Sequence, residues 1–241
     1  VGLAVPMAVL YKIDENRMKL FHIKIINDTT TDATGNYATA WGQDNTASGP
    51  GSTASGYDTT ASQSYATASG YHTLASGYAS TASGAYTTAS GYASLAEGGN
   101  TTASGTRSHS EGRNSTASGS NSHAEGIDTL ASGNNSHAEG DDTIASGNTS
   151  HASGRDTVAG GNYSHAKGWN TTASGYNSSA SGYNTLASGN FSSTKGVGTL
   201  ASNQYSTAEG VNTISSGSAS HAEGATTTAS GESSHAEGTN Q

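Results

Sequence analysis

Glycine returns at every seventh position from Gly42 to Gly238, and of 29 successive places only Gln63 and Asn203 hold anything else. Glycine is unfavourable inside helices and weakens strand interiors, so this spacing excludes long elements of either kind. Two residues before each of these places stands Ala, with Ser110, Thr194 and Ser215 as the departures. Four residues before it stands Ser or Thr, apart from Ala38, Asn45 and Ala66. The unit is therefore Ser/Thr-x-Ala-x-Gly-x-x. A seven-residue unit has no core of its own and must stack on copies of itself, which makes the chain a solenoid.

Composition narrows the remaining choices. Among 241 residues there are 33 Gly, 2 Pro and no Cys, and large aliphatic residues are scarce beyond residue 26. Such a chain cannot build the core of an ordinary α/β enzyme or a helical bundle, and by composition alone would read as disordered. The period overrides that reading. No apolar run approaches the roughly 18 residues of a membrane-spanning helix. A net charge of −9 argues against nucleic acid or an anionic membrane as partner. Without Cys there is no disulfide scaffold, thiol nucleophile or thiolate-bound metal.

Five residues of alternating character followed by Gly and two variable residues describe a short strand and a tight turn. Alternation places the Ser/Thr and Ala columns on one face and the two x columns on the other. Gly provides the positive φ or the close backbone approach that the turn needs. A second period of 14 overlies the first. One heptad class reads like Thr129-Leu130-Ala131-Ser132-Gly133, the other like Ser136-His137-Ala138-Glu139-Gly140. The spacing predicts an all-β parallel roll of 14-residue coils, two strands and two turns per coil, with a thin interior of Ala, Ser and Thr.

In the first class the outward column includes Leu74, Leu130, Ile144, Val158, Leu186, Leu200 and Ile214, interspersed with Thr. Its companion column is almost unbroken Ser. An aliphatic ladder beside uniformly small residues calls for a covering surface, and a homotrimer with this column as its interface is the expected cover.

The paired Ser/Thr-x-Ala-x-Gly-x-x units resemble the YadA-like head repeats of trimeric autotransporter adhesins, repeats also found in phage tail fibres. The resemblance spans residues 36–238. It implies a left-handed parallel β-roll, trimeric, displayed at a bacterial surface and adhesive. The chain departs from that family's pattern where bulky aliphatic pairs flanking Ala become Leu or Thr with Ser, or His with Glu. No heptad stalk or membrane-anchor barrel follows the repeats in this sequence.

Two columns carry chemistry. His109, His123, His137, His151, His165, His221 and His235 fall in one column, separated by multiples of 14, and Glu111, Glu125, Glu139, Glu223 and Glu237 stand two residues further on. The bland reading is a solvated face in which His and Glu relieve like-charge stacking. The alternatives are a metal-binding row, since neutral imidazole and carboxylate suit Zn or Ni, and a pH response. Eleven of twelve tyrosines lie one or two residues after the repeat-glycine position. Of these, Tyr57, Tyr71, Tyr78 and Tyr92 mark the expected ligand-contact end, suited to glycan or protein. Elsewhere their role is to cover turn backbone.

Ser, His and carboxylates occur as repeated columns rather than one converging set, and a thin roll offers no pocket, so no enzyme activity and no cofactor are expected. Residues 1–35 form a separate element ahead of the repeat domain 36–241. In it Phe21, Ile23 and Ile25 alternate with Leu20, His22 and Lys24 as in a strand. The sequence begins at Val1 without a basic leader, as a processed or partial chain would. Perfect repeat persists to Gly238, with no atypical capping unit after it. We therefore expect residues 1–27 to cap the roll or to dock head to tail on another copy. The function read from sequence is an extracellular, cell-surface adhesin head binding a host or matrix ligand. The alternative is a self-assembling filament subunit or a virion tail-fibre segment.

Overall fold

The computed structural model describes Val9–Leu10, Ile23–Ile26 and residues 31–240, the first two segments as backbone only. Among the described residues there are strands and turns, and no helix is long and apolar enough to cross a membrane. The chain divides into two compact units, Val1–Asn114 and Ser115–Gln241. Each is a parallel β-solenoid of 14-residue coils, built from the same two half-coils.

One half-coil, the one that carries the histidine column, forms a five-residue strand, such as Thr67–Tyr71 in the first unit and His137–Asp141 in the second. The other half-coil forms a two-residue strand, such as Leu74–Ala75 or Ile144–Ala145. Every strand pairs in parallel with its counterpart 14 residues away, as in Thr67↔Thr81 and Ile144↔Val158. In His165–Ala173 and Ser179–Ala187 the two half-coils run together as nine-residue strands. The parallel 14-residue coil is as the periodicity predicts.

The interior is as narrow as the sequence demands. The Ala column is fully buried in both units, from Ala38 to Ala103 and from Ala117 to Ala222, and the Ser/Thr column is buried beside it. The Ser of the five-residue half-coil closes its turn. Ser136 Oγ donates to the carbonyl of Gly133 at 2.6 Å, and Ser122 Oγ to Gly119 at 2.7 Å. Asn45 takes a Ser/Thr place and satisfies itself fully. Its Nδ2 donates to the carbonyls of Trp41 and Gly56, each at 2.8 Å, while its Oδ1 accepts from the Thr59 hydroxyl at 2.7 Å.

The two glycine columns answer to different constraints, and only the second admits substitutes, Gln63 and Asn203. As the fourth residue of the five-residue strand, Gly70 and Gly140 sit at φ +123° and +119°, conformations closed to L residues. After the two-residue strand φ is ordinary, but a Cβ on Gly133 would lie 2.0 Å from the carbonyl oxygen of Gly147, one coil on.

A further periodic strain was not foreseen. Two residues after each glycine position the backbone is left-handed, and 28 of these positions hold a non-glycine residue. At most of these positions the N–H donates to a carbonyl of the preceding coil. Asn135 N–H donates to Ser120 O at 2.8 Å, Asp142 to Ile127 at 3.0 Å, and Tyr86 to Tyr71 at 2.9 Å. The hydrogen bond offsets a conformation that costs about 1–2 kcal/mol in most L residues. Asn and Asp tolerate it best, and they hold half of these positions.

At the start of the first unit β1 (Val9–Leu10) lies antiparallel to β2 (Ile23–Ile26), and β2 lies parallel to β4 (Thr39–Gln43), with Ile23 opposite Thr39. Between them β3 (Asp32–Ala33) pairs in parallel with Thr46–Ala47. Solenoid hydrogen bonding thus reaches back to residue 32, because Thr31, Ala33 and Gly35 already fit the heptad. The rest of segment 1–27, including Phe21, lies outside the described residues.

Candidate functional site

The inner columns are interchangeable along each unit; the outer columns are not. In the first unit the five-residue strands present Thr39, Thr53, Thr67 and Thr81 in register, then Leu95 and His109. Leu74 stands between Thr60 and Thr88 in the two-residue column. In the second unit that column reads Leu130, Ile144, Val158, Thr172, Leu186, Leu200, Ile214, one ladder of in-register aliphatics. Leu186 and Ile214 are each 38% exposed.

The same unit gathers most of the histidines. His123, His137, His151 and His165 are opposite one another in successive strands, and His221 is opposite His235. The imidazoles of His123 and His137 stack at 4.8 Å and those of His137 and His151 at 4.9 Å, nearly coplanar in direction at 5° and 4°. Ser179, Ser193 and Thr207 fill the column between His165 and His221. His109 belongs to the first unit, with Glu97 and Glu111 at 3.5 and 3.8 Å from its Nε2. Glu125, Glu139, Glu223 and Glu237 stand beside the second unit's rings. His123 Nε2 is 3.5 Å from Glu125, His151 Nε2 3.5 Å from Glu139, His221 Nε2 3.1 Å from Glu223 and His235 Nε2 3.5 Å from Glu237. Burial holds the His151 pKa below the ordinary value, and the His137 and His165 rings on either side lower it further, against an opposing pull from Glu139.

The four tyrosines picked out in sequence do not form one surface. Tyr57 and Tyr71 end five-residue strands, whereas Tyr78 and Tyr92 come after two-residue strands, so the pairs lie at the two different turns of the coil. At the first turn Tyr57 stacks on Tyr71 at 5.3 Å, and His72 sits edge-on to Tyr71 at 4.1 Å and face-to-face with Tyr86 at 5.2 Å. His72 Nδ1 lies 2.6 Å from an Asp58 oxygen. A hydrogen bond with Tyr86 is the main reason the Tyr71 phenol is held above its usual pKa. At the second turn Tyr78 stacks on Tyr92 at 5.2 Å with Tyr65 edge-on to Tyr78 at 5.8 Å.

Asp58, Tyr65, His72 and Tyr86 were not singled out from sequence for this site. All four occupy the left-handed place two residues after a glycine position, and that shared offset is the signal that would have found them. From Tyr65 through His72, Ala79 and Tyr86 to Ala93, five successive turns adopt this conformation without a single Asn or Asp. Backbone strain of this sort persists where the surrounding structure over-determines it, and it clusters at functional sites.

A family model described as the YadA head domain repeat (2 copies) matches residues 33–59, 47–73, 68–94, 96–122, 110–136, 124–148, 138–164 and 166–192. No curated protein matches the chain.

Proposed function

The chain belongs to the family of YadA head domain repeats, and from that premise we propose that it is the adhesive head of a trimeric surface fibre, contacting glycan through the aromatic turn edge of its first unit. The family is an adhesin-type structural family, trimeric and surface-exposed, and not an enzyme family. The glycan assignment rests chiefly on the cluster of Tyr57, Asp58, Tyr71, His72 and Tyr86. Its rings are exposed, Tyr86 at 57%, and they are held on strained turns. Aromatic faces match the C–H faces of sugar rings, while the phenol hydroxyls and the Asp58–His72 pair offer hydrogen bonds to sugar hydroxyls. Tyr78 and Tyr92 supply a smaller platform at the other turn.

The test is binding of the purified chain to an immobilised panel of neutral and acidic oligosaccharides, beside collagen and fibronectin surfaces. Tyr57→Ala with Tyr71→Ala is expected to weaken glycan binding more than tenfold, about 1.4 kcal/mol, with particle mass unchanged. Binding to protein surfaces alone, or glycan binding indifferent to the two changes, overturns the assignment.

For the trimer we propose Leu130, Ile144, Val158, Leu186, Leu200 and Ile214, with Leu74, as the covered column. Native mass spectrometry is expected to give three-chain particles. For Ile23–Ile26 we propose a capping role, supported by its backbone pairing with β4 of the same chain. Long polymers from the purified chain alone, lost on deleting residues 1–27, would instead favour the filament or tail-fibre reading, in which that segment docks on another copy.

A further inference from the structure

We propose that the His/Glu column binds a borderline divalent transition cation, with Zn²⁺ as the defining probe, at two places: Glu97–His109–Glu111 in the first unit and His123–Glu125–His137 in the second. In each triad the three donor atoms lie within 4.8 Å of one another. The separations within them are informative. His123 Nε2 to Glu125 is 3.5 Å, and His109 Nε2 to Glu97 and Glu111 is 3.5 and 3.8 Å. These exceed the roughly 2.7–3.2 Å of a hydrogen bond. They approach the edge of about 3.4 Å that a tetrahedral centre imposes when its bonds are about 2.0–2.1 Å.

A second observation comes from the rings themselves. His137 Nε2 is buried and has no hydrogen-bond partner among the described residues. The His137 donor atom lies within 4.8 Å of a Glu125 carboxylate oxygen and of a His123 ring nitrogen. An orphaned ring nitrogen inside a carboxylate–imidazole cluster is what an imidazole awaiting a cation presents. Neutral imidazole is the ligating form.

The donor sets define the cation. Two imidazoles with one carboxylate, or one imidazole with two, suit Zn²⁺ and its neighbours. Ca²⁺ and Mg²⁺ require mostly oxygen donors in larger number. Three ligands from a rigid strand pair leave the fourth tetrahedral position open, so the sites are accessible rather than closed structural ones. The parallel ladder sets the geometry: the 14-residue register fixes the axial spacing of the donors, and the two-residue step within a strand puts imidazole and carboxylate on one face.

Equilibrium dialysis of the full chain against ZnCl₂, with CaCl₂ as the control cation, tests the proposal. Two Zn²⁺ per chain are expected, with a Kd below about 100 µM, and no comparable Ca²⁺ uptake. His137→Ala is expected to remove one site and Glu111→Gln the other, while their combination abolishes saturable uptake. His137→Gln keeps much of the side chain's bulk and serves if the Ala variant loses its fold by circular dichroism. Absence of saturable Zn²⁺ uptake overturns the proposal. So does uptake unchanged in the double variant, which would mark diffuse chelation along the remaining histidines.

Discussion

The two units use one backbone and opposite decoration. From Thr39 to Thr88 the first unit repeats Thr-Ala-Ser-Gly with little variation on its faces and places its distinctive residues at the turns. From Ser115 onward the second unit keeps its turns mostly Asn and Asp and places its distinctive residues on the faces, aliphatic on one and His/Glu on the other. Their left-handed turn positions divide the same way. Tyr65, His72, Ala79, Tyr86 and Ala93 occupy them in the first unit, whereas Asn121, Asp128, Asn135 and Asp142 do so in the second. The lesson is that the inner columns are spent on folding and everything outside them is free for recognition.

If that is right, damage to the inner columns must hurt both units alike. Gly70→Ala and Gly140→Ala each place a Cβ 2.0 Å from a carbonyl oxygen of the next coil at positive φ. We expect on the order of 4 kcal/mol or more from either, read by hydrogen exchange in the coils flanking each site. A large asymmetry would break the claim of one shared backbone. Outer changes must instead discriminate. Leu200→Asp in the aliphatic ladder is expected to cost about 3 kcal/mol of trimer stability by burying a charge, and Leu74→Asp, flanked by Thr60 and Thr88 rather than by aliphatics, is expected to cost less; sedimentation at falling concentration ranks the two. Ala68→Val and Ala138→Val overfill an interior with no slack and should each cost about 1–3 kcal/mol, again equally. The smallest effect is the most diagnostic. Tyr86→Asn should stabilise the first unit by about 0.5–1 kcal/mol by relieving left-handed strain, while weakening glycan binding. Thermal unfolding and the oligosaccharide panel on the same variant would show whether strain and recognition trade against each other there.

Much of the fold is legible because it is set by residues of a single kind in a single column. Gly140, Ala138 and Ser136 each have one job, and the sequence repeats that job until no other reading survives. The candidate sites are less legible for a physical reason. Tyr57 and Tyr78 look equivalent as residues after a glycine, yet one glycine lies within a five-residue strand and the other after a two-residue strand, and the rings leave the coil at different turns. His72 is hidden because its column neighbours, Asp58 and Tyr86, share only a backbone conformation with it, and φ is not written in side-chain type. His137 and Glu125 were visible as a column. Whether they face each other closely enough to hold a cation depends on ring orientation, which periodicity does not encode.

Because both half-coils carry glycine in the same place, the chain is nearly symmetric under a half-period slip. Deleting seven residues would leave nearly every inner position occupied by Ala, Ser, Thr or Gly, and the positive-φ sites would still find glycine except where Gln63 or Asn203 moved into one. What would change is phase. Beyond the deletion each imidazole of the column would move to the azimuth of the aliphatic row, and each Leu of that row to the azimuth of the imidazoles. The solenoid thus behaves like a printed strip with two interleaved tracks. Lengthening it by 14 residues extends both tracks, while lengthening it by seven exchanges them. Selection for recognition would therefore act on coil number in even steps of the heptad, even though the backbone itself tolerates odd ones.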